Sequence, residues 1–233
     1  MENRMNAGHE SQYLIEEMNR YYNTRAPWHD RYMSYQSETA HEELLAPIIA
    51  ACDGSIRGRK VLEIACGTGN WTQVLSRRAE SVVAIDISPA ALEIARTKLS
   101  GYKNVAFVLA DAYDLGNIDG LFDVVFAADW WSHIPNGIIP SFLKTITGKL
   151  FPQSRGVFID MLFQAHFAQE PYHYDEADNR ISLRELPDGS KYQVVKNFPG
   201  ESDLRAILAD YAGNIIYRKF DTLKRWMVIF ETR

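Results

Sequence analysis

The run Val61-Leu62-Glu63-Ile64-Ala65-Cys66-Gly67-Thr68-Gly69-Asn70-Trp71-Thr72 passes from apolar residues through one acid to two glycines. Glycine lets backbone N–H groups approach a small ligand closely, and a helix opening at Asn70 aims further N–H groups at it. Asp86 and Asp111 supply carboxylates farther along, each closing a strand-like run. Asp129-Trp130-Trp131-Ser132-His133 then sets aromatic faces beside an imidazole. Such faces attract a cation by about 0.5–2 kcal/mol, and an imidazole of pKa about 6.5 can take a proton from a hydroxyl or amine. Arg184, Lys191 and Lys196 add positive charge, with Arg184 and Lys196 suited to a carboxylate or phosphonate. His166, Tyr172, His173 and Tyr174 are dense enough to form a pocket wall. Each has a plainer alternative: a turn glycine, a strand-end acid, a core tryptophan, a helix-capping histidine or a solvated cation. No metal site is expected, because His166 and His173 lack an acidic partner in register, and Cys66 reads as a small buried residue of the turn.

To act together these residues need a frame. Strand-like runs at Lys60–Ala65, Ser81–Asp86, Val105–Leu109, Phe122–Ala127 and Gly156–Met161 alternate with helical patterns at Asn70–Ala79, Ser88 to Leu99 and Ile138–Leu150. Ser88-Pro89 is an N-cap followed by proline at the first helical position. Strands alternating with helices imply right-handed crossovers and a parallel sheet. Residues 1–58 read as helical, with one stripe of Tyr13, Leu14 and Met18 and another of Leu44, Leu45, Ile48 and Ile49. Arg180–Leu186 and Ser190–Phe198 flank Pro187-Asp188-Gly189 and predict a β-hairpin. A helix over Glu201–Tyr211 and strands at Asn214–Phe220 and Arg225–Thr232 close the chain. The expected fold is α/β, a Rossmann-like, mainly parallel seven-stranded sheet with its last strand antiparallel. It divides into an N-terminal helical lid (1–58), a ligand-binding core (59–161), a cap inserted after strand five (162–199) and the completion of the sheet (200–233).

Bulk properties narrow the partners. The chain has 233 residues, enough for one such domain with an insertion, and a net charge of −5, which disfavours nucleic acid. No apolar run approaches the roughly 20 residues that span a bilayer, and the N-terminus lacks a signal-type apolar core. Two cysteines, Cys52 and Cys66, cannot build a disulfide framework. A cytoplasmic protein acting on a small molecule, as a monomer or homodimer, is the expectation.

Two ligand classes compete for the glycine turn. A nicotinamide dinucleotide wants a third glycine where Thr72 stands, and bulky Trp71 beside it argues against that ligand. A phosphate loop needs Gly-Lys-Ser/Thr, which is absent. Glu63-Ile64-Ala65-Cys66-Gly67-Thr68-Gly69 instead resembles the first motif of class I S-adenosylmethionine-dependent methyltransferases, with Ala65 in place of the first glycine. Asp86, 17 residues beyond Gly69, stands where a carboxylate accepts both ribose hydroxyls, as either ligand requires. Asp111-Ala112 is similar to the element that reads adenine in that family, and Phe122 to Ala128 resembles its fourth motif.

The resemblance implies a cofactor, S-adenosylmethionine, a product, S-adenosylhomocysteine, and roles for particular residues. Glu63, Ala65, Gly67, Gly69, Asp86, Asp111, Ala112 and Ala128 would contact the cofactor, Ile87 would pack on adenine, and Trp71 would line the site. Tyr21-Tyr22-Asn23-Thr24-Arg25-Ala26 resembles a tyrosine–arginine element that closes over the methionine carboxylate, which implicates Tyr22 and Arg25. Glycine-threonine-glycine-x-tryptophan-threonine and the tryptophan-x-x-histidine of Trp130 to His133 are similar to antibiotic-pathway O-methyltransferases, among them a phosphonate O-methyltransferase. The implied activity is methyl transfer to a small acidic or hydroxylated metabolite. Trp130, Arg184 and Lys196 would hold the acceptor, and His133 would be the base if it is a neutral hydroxyl. A small amine is the alternative acceptor, and a nicotinamide oxidoreductase or a silent binding module are remoter ones.

Overall fold

The computed structural model describes residues 2–32 and 37–233, so Met1 and residues 33–36 of the expected helical stretch lie outside the described residues. The strands in chain order are β1 (Lys60–Ile64), β2 (Ser81–Asp86), β3 (Val105–Leu109), β4 (Phe122–Ala128) and β5 (Leu150–Met161). Then come β6 (Tyr172–Tyr174), β7 (Arg180–Glu185), β8 (Lys191–Val195), β9 (Ala212–Phe220) and β10 (Arg225–Thr232). Seven of them form one sheet in the order β3-β2-β1-β4-β5-β10-β9. Its first five strands are parallel, and β10 runs antiparallel to both neighbours. The strand order turns around at β1, which pairs β2 on one side and β4 on the other. Two crossovers leave that point in opposite directions, so their loops part and open a crevice at the carboxyl edge.

Helices α1 (Glu2–Arg25), α2 (His29–Tyr32) and α3 (Glu38–Ile56) precede the sheet, and α4 (Asn70–Ser76), α5 (Pro89–Lys98), α6 (Ile139–Thr147) and α7 (Glu201–Leu208) follow its strands. Strand alternation sends Leu62 and Ile64 to one face, where Phe142 of α6 and Leu204 of α7 cover them. Val61 faces the other way, among Ile48 of α3, Leu75 of α4 and Leu92 of α5. Burial on both sides explains why these strands read as unbroken apolar runs. Of the stretch expected as a lid, α3 belongs to the second layer and only α1 stands apart from both. Leu14, Met18 and Tyr21 of α1 pack instead on Ile181, Leu186, Val194 and Val195 of the cap, forming a third cluster above the carboxyl edge.

Three local expectations are corrected. Tyr13 is 51% exposed and Leu44 61% exposed. The buried stripes run Leu14, Met18, Tyr21 and Leu45, Ile48, Ile49, Cys52, and a residue one position earlier lies about 100° away around the helix. The helix expected through Leu150 stops at Thr147, and Leu150 opens β5. The cap hairpin is present but gains a third strand, β6, whose residues are all exposed. Ser88 does cap α5, its hydroxyl accepting the Ala91 N–H at 3.1 Å. Cys52 and Cys66 are both free and buried.

Candidate active site

A cavity of about 450 Å³ lies at the carboxyl edge beside β1, roofed by α1 and the cap. The lid contributes Tyr22 and Arg25, and the β1 turn contributes Glu63, Ala65, Gly67 and Trp71. Asp86 and Ile87 come from the end of β2, Asp111 and Ala112 from beyond β3, Ala128, Trp130 and His133 from β4 and its loop, and Arg184 and Lys196 from the cap. All fifteen border one space. Gly69, also expected at the cofactor, does not border it. A Cβ at Gly69 would stand 2.8 Å from Leu99 Cδ1 and 3.1 Å from Ala95 Cβ, so its bareness serves the packing of α5 on the turn.

The turn is left-handed at Ala65 (φ 52°), Gly67 (φ 56°) and Gly69 (φ 83°). Asp86 clamps it: its carboxylate accepts the Gly67 N–H and the Ser88 N–H, each at 2.8 Å. Each oxygen keeps a lone pair for a further donor. Asp111 accepts the Tyr113 N–H at 2.9 Å in the same manner. Glu63 is buried, and burial pushes its carboxyl up to about 8, so it is largely protonated at neutral pH.

Cations gather at the other end. His133 Nδ1 lies 2.7 Å from the Val195 carbonyl, which can only accept, so Nδ1 carries the hydrogen. Nε2 therefore accepts, and the Tyr22 hydroxyl donates to it at 2.8 Å. Burial, then the charges of Lys196, Arg184 and Arg25, hold the imidazole well below its usual range. Both ring nitrogens are committed. Arg184 pairs with Glu170 at 3.0 Å. Lys196, expected at the acceptor with a solvated surface cation as the plainer alternative, borders the cavity, is 4% exposed and donates to Ser132 Oγ at 2.7 Å. Lys191 pairs with Glu185 on the exposed face, away from the cavity.

Of the expected pocket wall only His166 borders the cavity; Tyr172, His173 and Tyr174 of β6 are exposed, with the Arg180 guanidinium 4.1 Å from the centre of the Tyr172 ring. The two tryptophans divide as the alternation of their environment dictates. Trp131 is core, 2% exposed, and Trp130 faces the cavity beside Tyr113, ring centroids 5.9 Å apart. Sequence reasoning missed the Arg225–Asp129 ion pair and the lid contacts of Asp30 with Thr68 and Asn70. No local pattern marks them, because each joins segments far apart in the chain. Among the described residues no group of three His, Cys, Asp or Glu is placed to hold a metal ion, and no helix is long and apolar enough to cross a membrane.

Here β10 runs backwards between β5 and β9, and the sheet with its clamped glycine turn has the Rossmann-like fold of class I methyltransferases. The methyltransferase domain family matches residues 61–153. Demethylmenaquinone methyltransferase of Staphylococcus aureus (strain MRSA252) is 35% identical over 89 residues, a match spanning 37% of this chain and 37% of that protein. The whole fold is similar to DhpI in complex with SAH, at TM-score 0.74 and 26% identity, over 94% of this chain and 97% of that one. A DhpI–SAM–HEP complex matches equally, at TM-score 0.74 and 26% identity over 93% and 96%.

Proposed function

We propose that this protein transfers a methyl group from S-adenosylmethionine to an ionised oxygen of a small metabolite, a carboxylate or a phosphonate. The residues present fit the cofactor. Glu63 Oε2, the Tyr113 hydroxyl and Trp130 Nε1 are buried without a partner among the described residues, and all three residues border the cavity. Asp86 would take the ribose hydroxyls, and Asp111 with the Ala112 N–H would take adenine, with Ile87 on its face. Tyr22 and Arg25 would meet the methionine carboxylate, while Glu63, Ala65, Gly67, Trp71 and Ala128 wall the site. When bound, the cofactor supplies a methyl already activated by a sulfonium charge. The protein's own tasks are then alignment and exclusion of water.

The observation that carries the choice of acceptor is the state of His133. A neutral imidazole whose only lone pair already accepts from Tyr22 is a poor base, and it sits among Lys196, Arg184 and Arg25. That surrounding favours an acceptor that arrives charged and needs no base. Arg184 and Lys196 would orient it, with Trp130 as the adjoining wall. The likeness to DhpI, solved with SAM and with SAH, supports the cofactor half of this reading.

Steady-state kinetics on His133→Ala and Arg184→Ala test it. For an ionised acceptor, Arg184→Ala loses about a hundredfold in kcat/KM and His133→Ala loses much less. The reverse order would mean a hydroxyl or amine acceptor with His133 as base. Calorimetric titration with S-adenosylhomocysteine and with NAD(H) tests the cofactor independently, and binding of NAD(H) alone would overturn the assignment.

A further inference from the structure

Asp160, in β5, is fully buried (0% exposed) and does not border the cavity. Its Oδ2 accepts the Ser132 N–H at 2.8 Å, and its Oδ1 accepts the Ser132 hydroxyl at 3.1 Å and the Met161 N–H at 2.7 Å. The Lys196 ammonium stands 3.7 Å from Oδ1 and donates to Ser132 Oγ at 2.7 Å. Ser132 thus passes its hydrogen to Asp160 and takes one from Lys196. The backbone is pinned on both sides, with the Lys196 N–H on the Arg180 carbonyl at 2.8 Å and the Asn197 N–H on the Ser132 carbonyl at 2.8 Å. The end of the cap is therefore fastened to the sheet through one buried carboxylate, one hydroxyl and one ammonium, and of these three residues only Lys196 borders the cavity.

We propose that Asp160 is a positioning residue for the acceptor: through Ser132 it holds Lys196 charged and aimed at an oxyanion in the cavity. This rests on the reading above that Lys196 meets the acceptor. Four charged groups act on this ammonium. Asp160 and Asp129 favour the protonated form, while Arg184 and Arg225 oppose it; His133 beside it is neutral. Burial is the largest influence and pulls the ammonium below its ordinary range. Removing the carboxylate charge leaves burial and two guanidiniums against Asp129 alone, so Lys196 gives up its proton at lower pH. A guanidinium in its place cannot do so.

The test is binding of propionate, a carboxylate ionised across the whole range, to the protein saturated with S-adenosylhomocysteine, measured by calorimetry from about pH 6 to pH 9.5. The wild-type protein binds with little pH dependence to about pH 8. Asp160→Asn binds about tenfold more weakly there, with the loss steepening as pH rises. Asp160→Asn combined with Lys196→Arg regains flat, near wild-type binding. A purely structural role for Asp160 predicts no such rescue, and its absence overturns the proposal. Wild-type binding by Asp160→Asn at every pH also overturns it, provided Lys196→Met binds weakly. If Lys196→Met binds as the wild type does, or the wild type binds no propionate, the reading of the acceptor site is what fails. Should Asp160→Asn lose S-adenosylhomocysteine affinity through misfolding, Ser132→Ala keeps the carboxylate charge but removes the hydroxyl that aims the ammonium, so it binds several-fold more weakly with the wild-type pH profile. Wild-type affinity in that variant overturns the proposal.

Discussion

Tyr22 of the lid and His133 of the loop after β4 are joined by a 2.8 Å hydrogen bond across 111 residues of sequence. The Tyr22 hydroxyl is the donor, and burial raises its pKa further, so it keeps its proton throughout the physiological range. The bond ties the roof of the cavity to its floor and occupies the one lone pair a base would need. It follows that kcat/KM for a carboxylate acceptor is flat between about pH 6 and pH 8, because His133 titrates only at lower pH. A limb at about pH 6.5 that disappears in His133→Asn would contradict this. Tyr22→Phe removes one net hydrogen bond, about 1 kcal/mol, and should weaken S-adenosylhomocysteine binding several-fold in calorimetry.

Three histidines set the acid side of stability. Burial lowers His29 to about 4 and also lowers His41 and His133. Below about pH 6.5 the unfolded chain takes up protons that the folded chain refuses, so stability falls as pH drops from there toward 4. Glu63 acts the opposite way, because its folded carboxyl, pushed up to about 8, keeps a proton that the unfolded chain gives up. The histidine share is read by comparing thermal melts of the wild type and His29→Asn between about pH 7.5 and pH 4.5: the variant should lose less Tm as pH falls, and an equal slope in both would show that His29 does not contribute.

Two small residues in the β1 turn should respond in opposite ways. Ala65 holds φ at 52° with a Cβ present, a left-handed conformation that costs about 1–2 kcal/mol. Ala65→Gly should therefore raise Tm slightly, by the equivalent of about 0.5–1 kcal/mol. Gly69→Ala adds the same strain at φ 83° and drives a methyl against Leu99 and Ala95. A loss of about 2–4 kcal/mol is expected there, read from urea midpoints. A Gly69→Ala variant as stable as the wild type would show that α5 can move aside.

Asp30 latches the lid to the turn. It accepts from Thr68 Oγ1 at 2.6 Å, from Lys98 Nζ at 2.8 Å and from Asn70 Nδ2 at 3.2 Å. Asn23 makes a second tie, accepting from Ser88 Oγ at 2.9 Å. A cofactor beneath α1 leaves only when these open, so Asp30→Ala should speed release of S-adenosylhomocysteine about tenfold. Stopped-flow displacement measures that rate directly. An unchanged rate would place the exit elsewhere than under α2.

What the amino-acid order determined by itself was local. A β-branched run, two glycines and a helix start specify the β1–α4 turn, and Ser88-Pro89 specifies the start of α5, because both patterns act over a few residues. The spacing of Glu63, Gly67, Asp86 and Asp111 also foretold which strand ends meet, since parallel crossovers leave little freedom in where they return. Only the tertiary structure decided the rest. Whether Lys196 lies in water or is buried depends on the end of β8 meeting Ser132 and Asp160, and no neighbour of Lys196 in the chain encodes that. Gly69 reads identically whether it faces a ligand or a helix; Ala95 and Leu99 of α5 decide. The charge state of His133 was the most consequential of these, for it follows from burial and from cations contributed by α1, β7 and the end of β8. Desolvation and Coulomb forces act through space, so the chemistry of that imidazole came into being only when those distant segments met.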